Sequence, residues 1–540
     1  MREINLKRRQ LKNKTLFSPF TYIIVTIIFL YLLYLVHDLG KVPGLFFDEA
    51  NYAAEVRSFS TFGTDIHGLR FPVYLSSVWG QGQSILYTIF AVPFVKLFGF
   101  SMFVFRLPMV LIGLTFIALM TYTTKRVSKN NYLTLFVLTM LISSPWTFMS
   151  LRWVLDANIG PLILNLGVCL IVLGLSGSNS LLNNQILIYS GFIFMALSAY
   201  GYMALWLYLP LLIIMIFIFA LKNNLLSIRD VLISSVAMFV IALPIILFAI
   251  KIFVFHGSGP SHFLFFDLPS LPGSRQSSLI DFSSKHILID MWNNFQTGIN
   301  FYISGFDKLP WNSINGYGVL YPIFLIFTII GLIIPSKFYK NYETAVYLWK
   351  LMILTFLPLT FVIRPNFNHW NVVNFPIIIV SAFGLYFAFS KIKNYFSVIL
   401  ITAPVIIMLI FMTNYWGNRS FSKNGMISYS IVNKLNNTTK GHKVFISNLT
   451  WNFAYFKLIQ NVSPEEYNNE QDHLNAFKMA PKYRFTNLID ITKASSESKS
   501  GDFILVSNHE YPFFYQSIKR KMVYKIPWGQ DEYILYKIVK

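Results

Sequence analysis

Asp48 and Glu49 stand side by side in FFDEANYAAEVRS, just past the first long apolar run of a chain that is 12% charged and 55% hydrophobic. An ionised side chain costs several kcal/mol in hydrocarbon, so acids at a membrane edge are functional or paired. Two kinds of chemistry are open to this pair. One is removal of a proton from a hydroxyl, the task of a general base. The other is capping of a following helix, where acids complement the dipole.

Further polar residues stand out against the apolar background. Arg152 and Asp156 occur in SLRWVLDANIGP, Tyr200 and Tyr202 in AYGYMALW, and Asp307 and Trp311 in SGFDKLPWN. Arg364, Asn368, His369 and Trp370 fill IRPNFNHWN, and His256 and His262 flank GSGPS. Each has an ordinary structural role open to it. Arg152 reads as a snorkelling arginine, Asp156 as a helix cap, His369 as a member of an interfacial belt and Asp307 as a loop acid. Two loop histidines without cysteines or clustered acids are a weak metal signal.

The elements that must position these groups are membrane helices. Mean hydropathy is +0.54, and a span needs roughly 20 apolar residues. Apolar runs occupy 16–36, 102–124, 132–150, 157–174, 185–199, 204–221, 231–255, 317–335, 346–363, 371–390 and 397–414, or about eleven crossings. The net charge of +21 collects in short turns around Lys125-Arg126-Lys129, Lys222-Arg229, Lys337-Lys340 and Lys391-Lys393. These turns belong in the cytoplasm with the basic segment 1–15. Segment 84–98 is apolar but short and holds Pro93; a crossing there would turn every basic turn outward, so it reads as a re-entrant or interfacial helix. The first run is too long for a cleaved signal and reads as a retained span. The same basic balance on a soluble module would point to nucleic acid, but no such module carries it. Cys169 is the only cysteine, which excludes a disulfide framework or thiolate metal site.

This parity puts 37–83, 151–156, 256–316, 364–370 and the tail from about 415 on the extracytoplasmic side, the first and third as the large outer loops of a membrane domain spanning 16–414. All the unusual polar residues then share that side. In the tail, KVFISN, DFILVSN, KMVYKI and YILYKIV alternate with polar stretches, so 415–540 reads as a small extracytoplasmic α/β domain. The collected groups suit a phosphorylated lipid with a polar head. Arg152 and Arg364 would neutralise the phosphate, Asp48 would act as base, and exclusion of water would strengthen both.

FFDEANYAAEVRSFSTFGTDI resembles the first outer loop of the polytopic GT-C glycosyltransferases. The resemblance is greatest to the group that holds protein O-mannosyltransferases and lipid A aminoarabinose transferases. LFGFSMFVFRLPMVLIGLTFIALM is similar to that group's LFG…RLP segment, followed here by Thr124-Lys125-Arg126 and a helix ending SSPWTFMSLRWVLDANIGP. The resemblance implies a polytopic α-helical GT-C fold. It also implies transfer of a sugar, with inversion, from a polyprenyl-phosphate donor to a hydroxyl of a cell-surface glycan, lipid or protein, in a multi-pass cell-membrane protein. Asp48 matches the acid proposed as base, with Glu49 supporting the loop or the acceptor. Tyr52 matches the aromatic after the pair, and Asp156 the acid that opens a later span. Some members use a divalent ion and some do not, so no cofactor is firmly implied and a divalent metal stays open. The chain departs from the aminoarabinose enzymes at three cationic positions, which fall on Asn51, near Gly82-Gln83-Ser84 and near Gly201. Arg57, Arg152 or Arg364, with Gln83 and His369 nearby in the pattern, would then hold the donor. Two other classes stay open on the residues alone: a transporter or flippase of a lipid-linked saccharide precursor, which would favour charges at the midplane and repeated halves, and a membrane scaffold whose tail binds a partner.

Overall fold

The apolar runs fold as helices whose ends are set by local caps. The computed structural model describes residues 18–539 apart from 78–79, 178–180, 258, 272–277, 393–395, 418–424, 470–481, 484–486, 510–514 and 529–530. The basic segment 1–15 lies outside the described residues. Helix α1 (Pro19–Val36) begins where the Ser18 hydroxyl accepts the Thr21 amide, with proline in its first turn. The expected loop 37–83 contains a helix of its own, α2 (Phe47–Phe62), closed by Gly63 in the left-handed region. After α3 (Leu86–Phe98) comes α4 (Met102–Ser128), capped by Ser101 and ended by left-handed Lys129.

The run 132–150 is not one straight helix. It forms α5 (Asn131–Ser143) and α6 (Pro145–Arg152), bent by 57°. Ser144 accepts the Thr147 amide and Pro145 opens the new helix, so the sequence itself restarts the chain there. Seven helices follow: α7 (Asp156–Leu175), α8 (Leu181–Ser198), α9 (Ala204–Lys222), α10 (Ile228–Phe253), α11 (Ile287–Ser304), α12 (Leu325–Ile333) and α13 (Glu343–Phe356). Then come α14 (Asn371–Lys391) and α15 (Phe396–Tyr415), and in the tail α16 (Tyr429–Thr438) and α17 (Leu449–Gln460).

Among the described residues, eight helices are long and apolar enough to cross a membrane, or nine if the bent pair is one span. The expected count of about eleven differs because the runs at 185–199 and 317–335 fold as shorter apolar helices. The second of these is bounded by Pro322 and Pro335, which keep its regular part short. The architecture is a polytopic helical membrane protein with a C-terminal sheet domain.

The bundle has two chemically different ends. At one, Thr124 meets Tyr342, Asn130 donates to Tyr386, and the Lys125 ammonium lies over Phe20. Phe219 stacks on Tyr347, and Lys391 lies over Phe338 and Phe387. The basic turns and the start of α1 therefore gather together, as membrane topology requires. Helix α3 belongs wholly to the other end. The Leu86 amide donates to Tyr200 O, and the residue beyond α3, Phe100, touches Tyr429 and carries Arg57 over its ring. Thirteen residues reach about 20 Å, short of the roughly 30 Å of a bilayer core.

Two short hairpins also lie outside the bundle, β1 (Tyr74–Leu75) with β2 (Gln83–Ser84), and β3 (Ser261–Phe263) with β4 (Phe266–Leu268). The tail forms a six-stranded mixed sheet from β5 (Val444–Ile446), β6 (Lys482–Tyr483), β7 (Leu488–Asp490), β8 (Phe503–Ser507), β9 (Arg520–Trp528) and β10 (Asp531–Ile538). Their order is β6-β7-β5-β8-β10-β9, with β5 parallel to both neighbours. The four apolar segments of the tail are β5, β8, β9 and β10.

Small residues let the helices approach. A Cβ on Gly167 of α7 or on Gly191 of α8 would lie 2.6 Å from the other glycine's carbonyl oxygen, a backbone-to-backbone contact of the kind small residues permit in membranes. Gly191→Leu should force these helices apart and lower the unfolding midpoint in detergent, at about 1–3 kcal/mol for overpacking. An unchanged midpoint would mean that the two helices separate without cost.

Candidate active site

Two buried arginines hold the segment that delivers the acid pair. Arg106, from α4, is 1% exposed and Glu49 is 0% exposed. The guanidinium grips Glu49 through Nε to Oε1 at 2.8 Å and Nη2 to Oε2 at 2.5 Å. Its remaining hydrogens go to the carbonyls of Leu39, Pro43 and Gly44 at 2.8–3.1 Å. The Val154 amide donates to Glu49 Oε1 at 3.2 Å, so Glu49 also ties α2 to the loop before α7. This carboxylate is a clamp in the protein interior.

Arg152 is likewise wholly buried. It donates to the carbonyls of Tyr34, Leu35 and Val42 at 2.6–3.1 Å and lies against the rings of Phe148, Tyr415 and Trp416. The Tyr34 and Leu35 carbonyls are orphan acceptors of the last turn of α1, so Arg152 caps that helix. A guanidinium in this setting is not presented to a donor phosphate, and the expectation that Arg152 binds one is corrected.

Asp48 differs from its neighbour. It is half-buried in the first turn of α2, where a negative charge meets the positive end of the helix. Its carbonyl accepts Gln83 Nε2 at 3.0 Å. Gln83 is 1% exposed, and its Oε1 has no hydrogen-bond partner among the described residues. Tyr52, 0% exposed, donates to Ser84 O at 2.6 Å and accepts the Tyr87 amide at 3.2 Å, so it ties α2 to the β2–α3 corner. Asp156 is the first residue of α7 and its carboxylate accepts the Ala157 amide at 3.0 Å. It therefore acts inside the first turn, one position beyond the expected cap.

The other polar loops reach the same end. Phe46, just before α2, stacks on Trp311 and meets Trp153 edge-on. Asn371 donates to Ala157 O and to Asn158 Oδ1 at 2.5 and 3.0 Å, bringing the 364–371 loop against the start of α7. Asp307 organises the loop beside it by accepting from Asn312, Ser313 and the Phe367 amide. Arg364 is exposed, while His369 Nδ1–H donates to the Arg364 carbonyl at 2.8 Å. Asp48 and Tyr52 of α2 are thus tied to β2 at Gln83 and Ser84, while Arg364 and His369 share the 364–371 loop. His262 pairs with Asp267 on the β3–β4 hairpin. Among the described residues, no group of three or more His, Cys, Asp or Glu is arranged to hold a metal ion.

The C-terminal domain completes this end. Its strand-like link pairs Leu45 N with Ile427 O at 2.6 Å, and Arg57 donates to the Leu458 and Ile459 carbonyls at 2.7 and 2.9 Å. Arg57 thereby satisfies the last turn of α17 through its Nη1. Lys457, 6% exposed, donates to Asn51 Oδ1 at 2.7 Å. Tyr455 of the same helix is 9% exposed, and its hydroxyl is pushed up by burial first and then by the Asp48 charge. Arg106, Tyr455 and Lys457 were not singled out from the sequence. A signal existed for two of them: each is a lone cation in an apolar helical run, FVFRLPMVL and WNFAYFKLI.

Glu55, wholly buried on α2, has its carboxyl pushed up from 4.5 to about 7 by burial, against the pull of Lys457. Burial brings Lys457 down from 10.5 to about 8, against the pull of Glu55. A raised carboxyl pKa stabilises the fold fully below its unfolded value of 4.5 and ceases to do so as pH rises through about 7. The lowered ammonium acts in reverse: its contribution is complete above 10.5 and lost as pH falls through about 8. Glu55→Gln should therefore gain in unfolding midpoint relative to the native chain between about pH 5 and about pH 7.5. A constant difference across that range would assign Glu55 an ordinary pKa. Glu49→Ala leaves Arg106 buried without its acid and should cost about 3–5 kcal/mol in stability, whereas Asp48→Asn should leave the midpoint in place. Equal midpoints for the two variants would contradict the division between them.

No protein-family model and no curated protein matches the chain by sequence. Solved structures do match by shape. One is ArnT from Cupriavidus metallidurans bound to undecaprenyl phosphate, at 10% identity and TM-score 0.58, covering 96% of this chain and 98% of that one. A second is the archaeal oligosaccharyltransferase AglB from Archaeoglobus fulgidus in complex with an inhibitory peptide and a dolichol-phosphate, at 11% identity and TM-score 0.51, covering 96% and 74%. A third, the Archaeoglobus fulgidus oligosaccharyltransferase in complex with Zn and sulfate, has 13% identity and TM-score 0.50, covering 86% and 64%. At such identities the likeness is one of fold, and that fold is GT-C.

Proposed function

We propose that the protein is a membrane glycosyltransferase that moves a sugar from a polyprenyl-phosphate donor to an acceptor hydroxyl on the extracytoplasmic face, with Asp48 as general base. The observation that carries this reading is the division of the acid pair: Glu49 is fixed on Arg106, while Asp48 is half-buried at the open end of α2. In the proposed step Asp48 takes the acceptor's hydroxyl proton as that oxygen attacks the anomeric carbon. The carbon–oxygen bond to the phosphate breaks on the opposite face, polyprenyl phosphate leaves, and the configuration inverts. The acceptor is a cell-surface glycan, lipid or protein.

Several features support the donor class. The GT-C neighbours include structures holding undecaprenyl phosphate and dolichol-phosphate. An apolar groove of about 360 Å3 opens between α8, α9 and α10, lined by Trp206, Pro210, Ile213, Ala242, Ile246 and Ala249, and its walls suit an isoprenoid tail. Of the arginines named from the sequence, Arg364 is the exposed one, so the phosphate is assigned to Arg364 with His369 at its side. Charge-assisted bonds from a guanidinium suit a phosphate oxygen pair. The oligosaccharyltransferase solved with Zn leaves a divalent ion open here, and activity with and without EDTA reads its role.

Sugar transfer by purified protein, from a polyprenyl-phosphate sugar fraction, tests the reading. Asp48→Asn should lose about 10²–10⁴-fold in rate while remaining folded. Equal rates for the variant and the native chain would remove Asp48 as base. Arg364→Met should raise the donor KM by about tenfold or more with a smaller effect on kcat; an unchanged KM would move the phosphate elsewhere. Mass spectrometry of surface glycans from a deletion strain names the sugar and its linkage.

A further inference from the structure

We propose that Lys457, carried by the C-terminal domain, is a positioning residue for Asp48: acting through Asn51, it sets the first turn of α2. The inference deepens the transferase reading and rests on it only for the role of Asp48. Helix α17 is apolar around Lys457, in WNFAYFKLI, and an ammonium buried there costs more than a methionine would unless it is paired and hydrogen-bonded. Its Nζ reaches 2.7 Å from Asn51 Oδ1, and Asn51 Nδ2 in turn donates to Phe47 O at 3.1 Å. The chain of contacts ends on the residue before Asp48. On the other side, Gln83 Nε2 holds the Asp48 carbonyl. The backbone of the acid is thus gripped from two directions, once by the outer loop and once by the C-terminal domain.

The rest of the interface does not depend on Lys457. Arg57 on the end of α17, the Leu45–Ile427 bridge, and the Phe100–Tyr429 and His67–Tyr467 ring contacts all persist without it. Gly44 packs on Met426 so closely that a Cβ would lie 2.7 Å from its carbonyl oxygen. Removing the ammonium therefore leaves the domain docked; it frees Asn51 and the first turn of α2, and it also takes from Glu55 the cation that opposes its burial. This makes the C-terminal domain a working part of the site rather than a cover over it.

The test needs no knowledge of the sugar. Cys169, the only native cysteine, is buried, so full-length Asp48→Cys can be labelled with N-ethylmaleimide at one site. Adding Lys457→Met, or separately Asn51→Ala, should change the labelling rate at position 48 by about fivefold or more, on the scale at which a small misplacement of a reacting group alters rates. In the Asn51 combination, which leaves Lys457 and Glu55 in place, the unfolding midpoint should remain close to that of Asp48→Cys. Labelling unchanged in both combinations overturns the proposal, and the Asn51 variant decides if the Lys457 variant does not fold. With Asp48 in place, each single variant should lower kcat about 10- to 100-fold at constant donor KM, and the double variant should be no worse than either. Additive losses, or a change confined to KM, would overturn it as well. If the native chain transfers no sugar, the transferase reading fails while the labelling arm still decides the positioning role.

Discussion

The bidentate pair between Glu49 and Arg106 is the constraint from which the site is built. A carboxylate and a guanidinium removed from water are tolerated only with good geometry and with their remaining hydrogens satisfied. Here both conditions are met, because Arg106 also collects the carbonyls of Leu39, Pro43 and Gly44. Those carbonyls belong to an irregular segment between α1 and α2 that has no ladder of its own. The arginine supplies the donors that regular structure would have supplied, and Arg152 does the same for Tyr34, Leu35 and Val42. The two cations convert a connecting loop into a rigid mount for α2, and Asp48 is one residue away from the clamp.

The membrane explains why this mount stands at one end of the bundle. In hydrocarbon an unpaired polar group is costly, so the spans' interiors are apolar and the polar chemistry is left to the loops. Positive turns gather at the opposite end around Lys125, Arg126 and Lys391. The remaining acids, amides and aromatic residues then meet because the loops that carry them are short and the helices between them pack closely, as at the Gly167–Gly191 crossing. Helix α3, with both ends on the acid side, adds a wall to that end without changing the parity of the chain.

Much of this was legible in the sequence. The apolar runs marked the helices, and alternating apolar residues marked β5, β8, β9 and β10. The basic turns divided the loops into two sets, and loops of one set meet where Phe46 contacts Trp153 and Trp311 and Asn371 reaches Ala157. The misreadings have physical causes. A helix restart at Ser144-Pro145 does not alter hydrophobicity, so the run 132–150 looked continuous. The first outer loop hid a helix because α2, with three alanines and alternating polar groups, shows no apolar stripe. Strands β6 and β7 are two and three residues long and escape any periodicity.

What the sequence determined by itself is composition-driven: a lipid-embedded helical bundle, its two faces, a terminal sheet, and an acid pair at the edge. Solvent transfer energies are local properties of side chains, and they add along the chain. What only the tertiary structure decided is which polar group meets which. Arg152 and Arg57 looked like phosphate ligands because charge at a membrane edge is ambiguous until its partners are known. The fold buries the first against the end of α1, and it places Nη1 of the second on the last carbonyls of α17. Likewise Glu49 and Asp48, identical in setting along the chain, point to different neighbours because consecutive residues of a helix lie about 100° apart around its axis. One turns inward to Arg106, and the other stays half-buried in the first turn of α2.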